Sequence, residues 1–211
     1  KKYTTEESYF EYMSAVDENL ISFVAKPVSV GERDAFLAKW VGIYPWNKIK
    51  DEMLNLAKKR LTKDDVLKYL SNPVRLEFLV SLAIKSKFPN IRVIPNYPYD
   101  DEGLPTSTAG GVGDKGDIEC FEDVKGILVE VTMSEGRMQT MMEVWPISRH
   151  LGEFRKGTPD SMCYFVAPSI FKDSVMQINY VKEKENLSIL PKTIEEFLSH
   201  IEKEDALYSI A

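Results

Sequence analysis

Two carboxylates thirteen positions apart, Asp117 and Glu130, are the residues of this chain whose types and setting best suit chemistry. Glu130 stands inside Ile127-Leu128-Val129-Glu130-Val131-Thr132, an otherwise apolar run with strand character. A buried ionised carboxylate there is costly unless it is paired or holds a metal. Side chains alternate along a strand, so Glu130 and Thr132 share one face while Val129 and Val131 take the other. In Asp117-Ile118-Glu119-Cys120-Phe121, Asp117 and Glu119 share a face opposite Ile118 and Cys120. If the two segments pair as a hairpin, matching their apolar faces sets either Asp117 or Glu119 opposite Glu130. Both registers bring Asp117 near Glu130. Cross-strand neighbours about 5 to 8 Å apart can converge on one cation, and oxygen ligands in this number favour Mg2+.

Further groups join the pair. Glu77 lies on an earlier helix, and a helix over about residues 136–152 carries Gln139, Glu143, Pro146 and His150 at spacings of four, three and four, hence on one face. Met138, Met141, Met142 and Trp145 occupy the other face. The pattern predicts that this apolar face lies on the sheet, that the polar edge turns toward the carboxylates, and that Pro146 kinks the helix. A bland alternative stands beside this: Glu130 pairs with a lysine or arginine, and the hairpin is purely structural. His150, too, could be a satisfied helix histidine.

The elements that must position these groups follow from periodicity. Apolar residues recur at helical spacing in Tyr9, Phe10, Met13, Val16, Leu20 and Phe23, in Phe36, Leu37, Trp40 and Val41, and in Ile49, Met53, Leu54 and Leu56. A short helix with Val66, Leu67, Tyr69 and Leu70 is expected after Thr62-Lys63-Asp64-Asp65. The N-terminal string Lys1-Lys2-Tyr3-Thr4 lacks an initiator Met and fits a fragment whose helices lead in from an upstream domain. From Asn72 helix and strand alternate, which favours an α/β or α+β domain. Pro73 opens an amphipathic helix, Ile91 to Pro95 is a strand, and a glycine-rich loop runs from Asn96 to Gly116. Beyond the hairpin come a strand over Cys163 to Ala167, a helix around Ile170 to Val175, a strand over Leu187 to Leu190, and a last helix opened by Pro191 that runs to about Lys203.

Other motifs weaken on inspection. Gly111-Val112-Gly113-Asp114-Lys115-Gly116 has the letters of a dinucleotide fingerprint but lacks the preceding strand and following helix. Asp114, Asp117 and Glu119 miss the spacing of a calcium loop. With His150 and His200 the only histidines and no nucleophile elbow, a catalytic triad has little to work with. Cys120 and Cys163 lie in apolar segments without metal-ligand spacing and are expected as reduced core thiols.

Composition bounds the class. A 211-residue chain that is 44% hydrophobic and 28% charged is long enough for one large domain and is neither disordered nor fibrous. Its longest near-apolar stretch, from Phe78 to Ile84, falls short of the ~20 residues that span a bilayer, and a cytoplasmic protein without membrane contact is expected. The net charge of −6 argues against an autonomous, tight nucleic-acid binder, because such affinity comes from neutralising phosphates.

Gly116-Asp117-Ile118-Glu119-Cys120, then Val129-Glu130-Val131-Thr132, Gly136-Arg137 and Glu143…Pro146…Arg149-His150 together resemble the catalytic domain of Type IIS restriction and strand-nicking endonucleases of the AlwI-like group, in the PD-(D/E)xK nuclease superfamily. The resemblance covers about residues 72–201, including Phe165-Val166-Ala167-Pro168 as a core strand and its exit. It implies an α/β fold, a restriction-endonuclease-like mixed β-sheet flanked by helices, with residues 1–71 as a helical linker and 72–211 as the catalytic domain. It implies Mg2+-dependent hydrolysis of double-stranded DNA, with Mn2+ as a substitute, in a chain that depends on a separate upstream recognition domain. Asp117, Glu130 and the Val131 carbonyl would hold the metal, and Glu77 would sit in the outer shell or complete a second site. Lys115, Arg137 and Arg149 would contact phosphate. The sequence departs from the superfamily at two places: Gly116 replaces the proline of the PD element, and Thr132 stands where the motif lysine belongs. The role of that lysine passes to Glu143, His150 or a second metal, with Glu143 assisted by His150 favoured. A small cleavage subunit of a heterodimeric restriction enzyme and a non-catalytic helical interaction domain are the alternatives.

Overall fold

The computed structural model describes residues 30–106, 115–122 and 125–208. The expected helix with Tyr9 to Phe23 and most of the glycine-rich motif lie outside them. Two compact units divide the chain, residues 1–32 and 33–211.

Helix α1 (Val30–Ile43) sends Leu37 and Trp40 into the core, and α2 (Trp46–Ala57) buries Ile49, Met53 and Leu56 at helical spacing. Trp40 meets the ring of Phe78 edge-on, with centroids 5.9 Å apart. The helix expected after Asp65 shrinks to one 3-10 turn, Leu67–Tyr69. Asp64 caps the amides of Val66 and Leu67; Leu67 is buried in the core with Val66 and Leu70 packed against it, while Tyr69 stays exposed. Helix α3 (Asn72–Lys87) begins with Pro73 in its first turn, where a missing N–H costs nothing. It is buried continuously from Phe78 to Lys85 because it is apolar nearly all round, as a central helix must be.

Strands β1 (Arg92–Pro95), β2 (Ile118–Glu122), β3 (Lys125–Val131), β4 (Met162–Ala167) and β5 (Ile189–Thr193) form one sheet in that order. The β1–β2 and β2–β3 pairs are antiparallel; β3–β4 and β4–β5 are parallel. Between β3 and β4 lie α4 (Arg137–Met142) and α5 (Val144–Phe154); α6 (Lys172–Glu185) links β4 to β5, and α7 (Ile194–Lys203) closes the unit. Alternation along the strands sorts the side chains into two cores. Ile127, Val129, Tyr164 and Val166 pack with α3 and α7, whereas Leu128, Cys163 and Phe165 pack with α5 and α6. The result is the expected mixed sheet flanked by helices. Cys120 and Cys163 are buried free thiols. Among the described residues no helix is long and apolar enough to cross a membrane.

Three expectations need correction here. The helix placed around Ile170 to Val175 runs on to Glu185, because Ser174, Ile178 and Val181 form one buried stripe. Pro191 does not open the last helix; it pairs with Phe165 inside β5, an edge strand where a missing donor is tolerated. The helix starts instead at the capping box of Thr193 and Glu196. The helix over residues 136–152 is two helices whose methionine face is exposed, as described next.

Candidate active site

The site forms where β3 emerges from the sheet. In the β2–β3 register Ile118 faces Val129 and Glu119 faces Leu128, so one further step sets Asp117 opposite Glu130. Glu130 is only 5% exposed. The Val131 amide donates to Asp117 Oδ2 at 2.8 Å, and the Val131 carbonyl lies on the same side of the strand. Asp117 is held from β1 as well: the Asn96 amide donates to the Asp117 carbonyl at 2.8 Å, and Asn96 Nδ2 donates to the Gly116 carbonyl at 2.6 Å. Asn96 is a positioning residue that sequence reasoning missed, since it took this asparagine as the start of a polar loop. The clue would have been an amide-bearing residue directly after an apolar strand.

Gly116 explains one of the two departures. A Cβ at this position would lie 2.6 Å from Glu130 Oε1 and 2.5 Å from Leu128 Cδ1. The chain passes so close to β3 that a side chain at 116 would occupy the space of the Glu130 carboxylate.

Glu143 and His150 reach the site from α4 and α5. Pro146 does more than kink the predicted helix. Without an N–H, and with its ring against the carbonyl four residues back, it separates α4 from α5, and Glu143 stands at the junction with φ −108° and ψ −50°. Glu143 Oε1 accepts from Thr132 Oγ1 at 2.8 Å and from Ser134 Oγ at 2.6 Å. His150 Nδ1 lies 2.8 Å from Glu130 Oε1, so the histidine engages the strand carboxylate through a hydrogen bond. Glu130 therefore pairs with a histidine on α5, and not with the lysine or arginine of the bland alternative.

Met138, Met141, Met142 and Trp145 do not lie on the sheet. They face solvent, Met141 at 71% exposure, while Gln139 is fully buried. The cause is hydrogen bonding. Gln139 Nε2 donates to the carbonyls of Ser134 and Ser169, and its Oε1 accepts from the Phe171 amide. Those backbone groups have no strand or helix partner, and an unpaired buried amide or carbonyl costs about 1–3 kcal/mol. Satisfying three of them turns the Gln139 edge inward and the methionines outward.

The electrostatics are those of crowded acids. Burial, and then the neighbouring Glu130, raise the Asp117 carboxyl well above its ordinary range, partly offset by the Val131 amide. Burial pushes Glu130 up to about 8, with Glu143 and Glu77 adding repulsion. Burial, then Asp117, also push Glu77 up to about 8. No lysine or arginine among the described residues forms a salt bridge with these acids. Lys115, Arg137 and Arg149 are exposed.

Such a cluster suits a hard cation. Its donors are carboxylate oxygens, and their mutual repulsion leaves negative charge that a divalent ion would neutralise. Among the described residues no three His, Cys, Asp or Glu side chains converge to enclose an ion by themselves. The structure brings Glu77, Asp117, Glu130, Glu143 and His150 into one electrostatically coupled group.

A family model described as AlwI restriction endonuclease matches residues 40–200. Among solved structures, the small subunit of the heterodimeric restriction endonuclease R.BspD6I is similar, with a TM-score of 0.59 and 22% identity over 72% of this chain and 76% of that chain. A comparison with curated proteins gives no match. At that identity the solved structure speaks for the fold, a restriction-endonuclease fold. The family model, which spans all five strands and the helices that carry the acids, speaks for kinship: the chain belongs to the AlwI restriction endonuclease family.

Proposed function

We propose that this chain is the Mg2+-dependent cleavage module of a site-specific Type IIS or nicking endonuclease, hydrolysing phosphodiester bonds of double-stranded DNA. Residues 72–211 carry the chemistry, and the preceding helices lead in from a separate recognition domain. The observation that carries the reading is the placement of Asp117 opposite Glu130, tied by the Val131 amide and, among the described residues, lacking a lysine or arginine partner. Asp117, Glu130 and the Val131 carbonyl would hold Mg2+, or Mn2+ in its place, with Glu77 in the outer shell or at a second site. The ion would neutralise charge on the phosphate and acidify water. Glu143 accepts the proton of the attacking water, since Thr132 cannot act as a base. His150 orients Glu130 through its Nδ1 contact. Lys115, Arg137 and Arg149 hold the DNA backbone. Affinity for DNA comes chiefly from the recognition domain, because the chain itself carries a net charge of −6.

Cleavage of supercoiled plasmid with Mg2+ or Mn2+ tests the reading. Asp117→Ala and Glu130→Ala should each abolish it while leaving the fold intact; undiminished nicking by either variant sinks the assignment. A second reading, a small cleavage subunit acting with a larger partner, is supported by the similarity to such a subunit. Efficient cutting only when a recognition-bearing subunit is supplied in trans would favour it.

A further inference from the structure

We propose that Thr132, together with Ser134, is a positioning residue that aims the Glu143 carboxylate at the attacking water. The inference rests on the reading of Glu143 as the general base.

Thr132 directly follows β3 and is 7% exposed. Its amide donates to the Val166 carbonyl at 3.0 Å, so its backbone is an extension of the sheet. Its hydroxyl oxygen accepts from the Ser134 amide at 2.9 Å, which directs the hydroxyl hydrogen toward Glu143 Oε1. The Ser134 hydroxyl donates to that same oxygen. Both donors therefore occupy Oε1, and no hydrogen bond within the described residues takes Oε2. The carboxylate is clamped through Oε1, which leaves Oε2 to accept from a water.

The clamp is rigid for a reason visible in the fold. Ser134 is tied through its carbonyl to Gln139, and Gln139 is fixed to Ser169 and Phe171 beyond β4. Glu143 itself sits at the junction of α4 and α5, and two hydroxyls from the sheet end hold its carboxylate. Thr132 thus holds the base, at the position where a lysine would have served the water directly.

The test uses the full chain on supercoiled plasmid with Mn2+, measuring the single-turnover rate at saturating protein and the protein concentration for half-saturation. Thr132→Val should slow cleavage about 10- to 100-fold with half-saturation changed less than about twofold, because misorientation affects the chemical step and not binding. Thr132→Ser, which keeps the hydroxyl, should restore the rate to within about threefold of the parent. Thr132→Val on a Glu143→Gln background should add little further loss. A parental rate in Thr132→Val overturns the proposal, as does a Thr132→Ser variant as slow as Thr132→Val. If Thr132→Val does not fold, Ser134→Ala decides: a slower rate supports the clamp, and an unchanged rate overturns it. Glu143→Gln separates the two levels: a parental rate in that variant removes the base assignment itself, whereas a slow Glu143→Gln beside a fast Thr132→Val removes only the positioning role.

Discussion

The Val131 amide donates to Asp117 Oδ2 at 2.8 Å, which couples the acid preceding β2 to the residue beside Glu130 on β3. This bond favours the charged Asp117 carboxylate, while burial and Glu130 both oppose its charge. A site that holds repelling acids in register gives up stability for function. Asp117→Asn keeps an oxygen for the Val131 amide and removes the repulsion. We expect it to abolish cleavage and, without metal at pH 8, to raise unfolding stability by about 1 kcal/mol. Urea denaturation beside a plasmid assay checks both; an active Asp117→Asn variant would overturn the metal-ligand role.

Glu77 and Glu130 set the pH dependence of the metal-free protein. Both are raised to about 8 from an ordinary value of 4.5, so between those values the folded state binds more protons than the unfolded chain. Stability from these groups is therefore complete below about 4.5 and is lost as pH rises through 8. Scanning calorimetry in EDTA from pH 5 to pH 9 should show a falling midpoint, flattened in Glu130→Gln. A bound divalent cation favours the charged acids, so Mg2+ should stabilise more at pH 8 than at pH 6. A rising midpoint across the same window would show that the acids are not protonated in the fold.

Much of this was legible in the sequence because β3 obeys a simple rule. Period-two alternation separates Ile127 and Val129 from Leu128 and Glu130, and the two packed faces follow it. Apolar matching then left two registers, and the structure takes the one that sets Asp117 opposite Glu130. The orientation of α4 was not legible. Four apolar residues on one face argue for burial, yet the loops at Ser134 and Ser169 to Phe171 present open backbone groups that no helical wheel displays, and Gln139 answers them. The length of α6 was missed because only Ser174, Ile178 and Val181 among many charges mark its inner stripe. Thr132 was read as an absence, the missing lysine, and its hydroxyl became informative only once Glu143 stood beside it.

Gly116→Ala tests the close passage against β3. The added methyl would have to displace the Glu130 carboxylate or Leu128, both buried and held by neighbours, so a stability loss of about 1–3 kcal/mol is expected. The more telling result is functional: moving Glu130 Oε1 also disturbs its His150 contact, so cleavage should fall about 100-fold even at temperatures where the variant is fully folded. Parental activity in Gly116→Ala would show that the glycine serves only the backbone.

Gln139 and Met141 lie two residues apart on α4 with opposite burial, which makes them a matched test of how that helix is seated. Gln139→Ala leaves the Ser134 and Ser169 carbonyls and the Phe171 amide without their partner, and a loss of about 3–5 kcal/mol is expected. Met141→Lys on the exposed face should change stability by less than about 0.5 kcal/mol. Had the methionines been the buried side, the order would be reversed, with the lysine variant unfolding and the alanine variant near neutral. Chemical denaturation of the two proteins distinguishes these outcomes. Because Ser134 also supports Glu143, Gln139→Ala should in addition slow cleavage under folded conditions, whereas Met141→Lys should leave the rate of the chemical step unchanged.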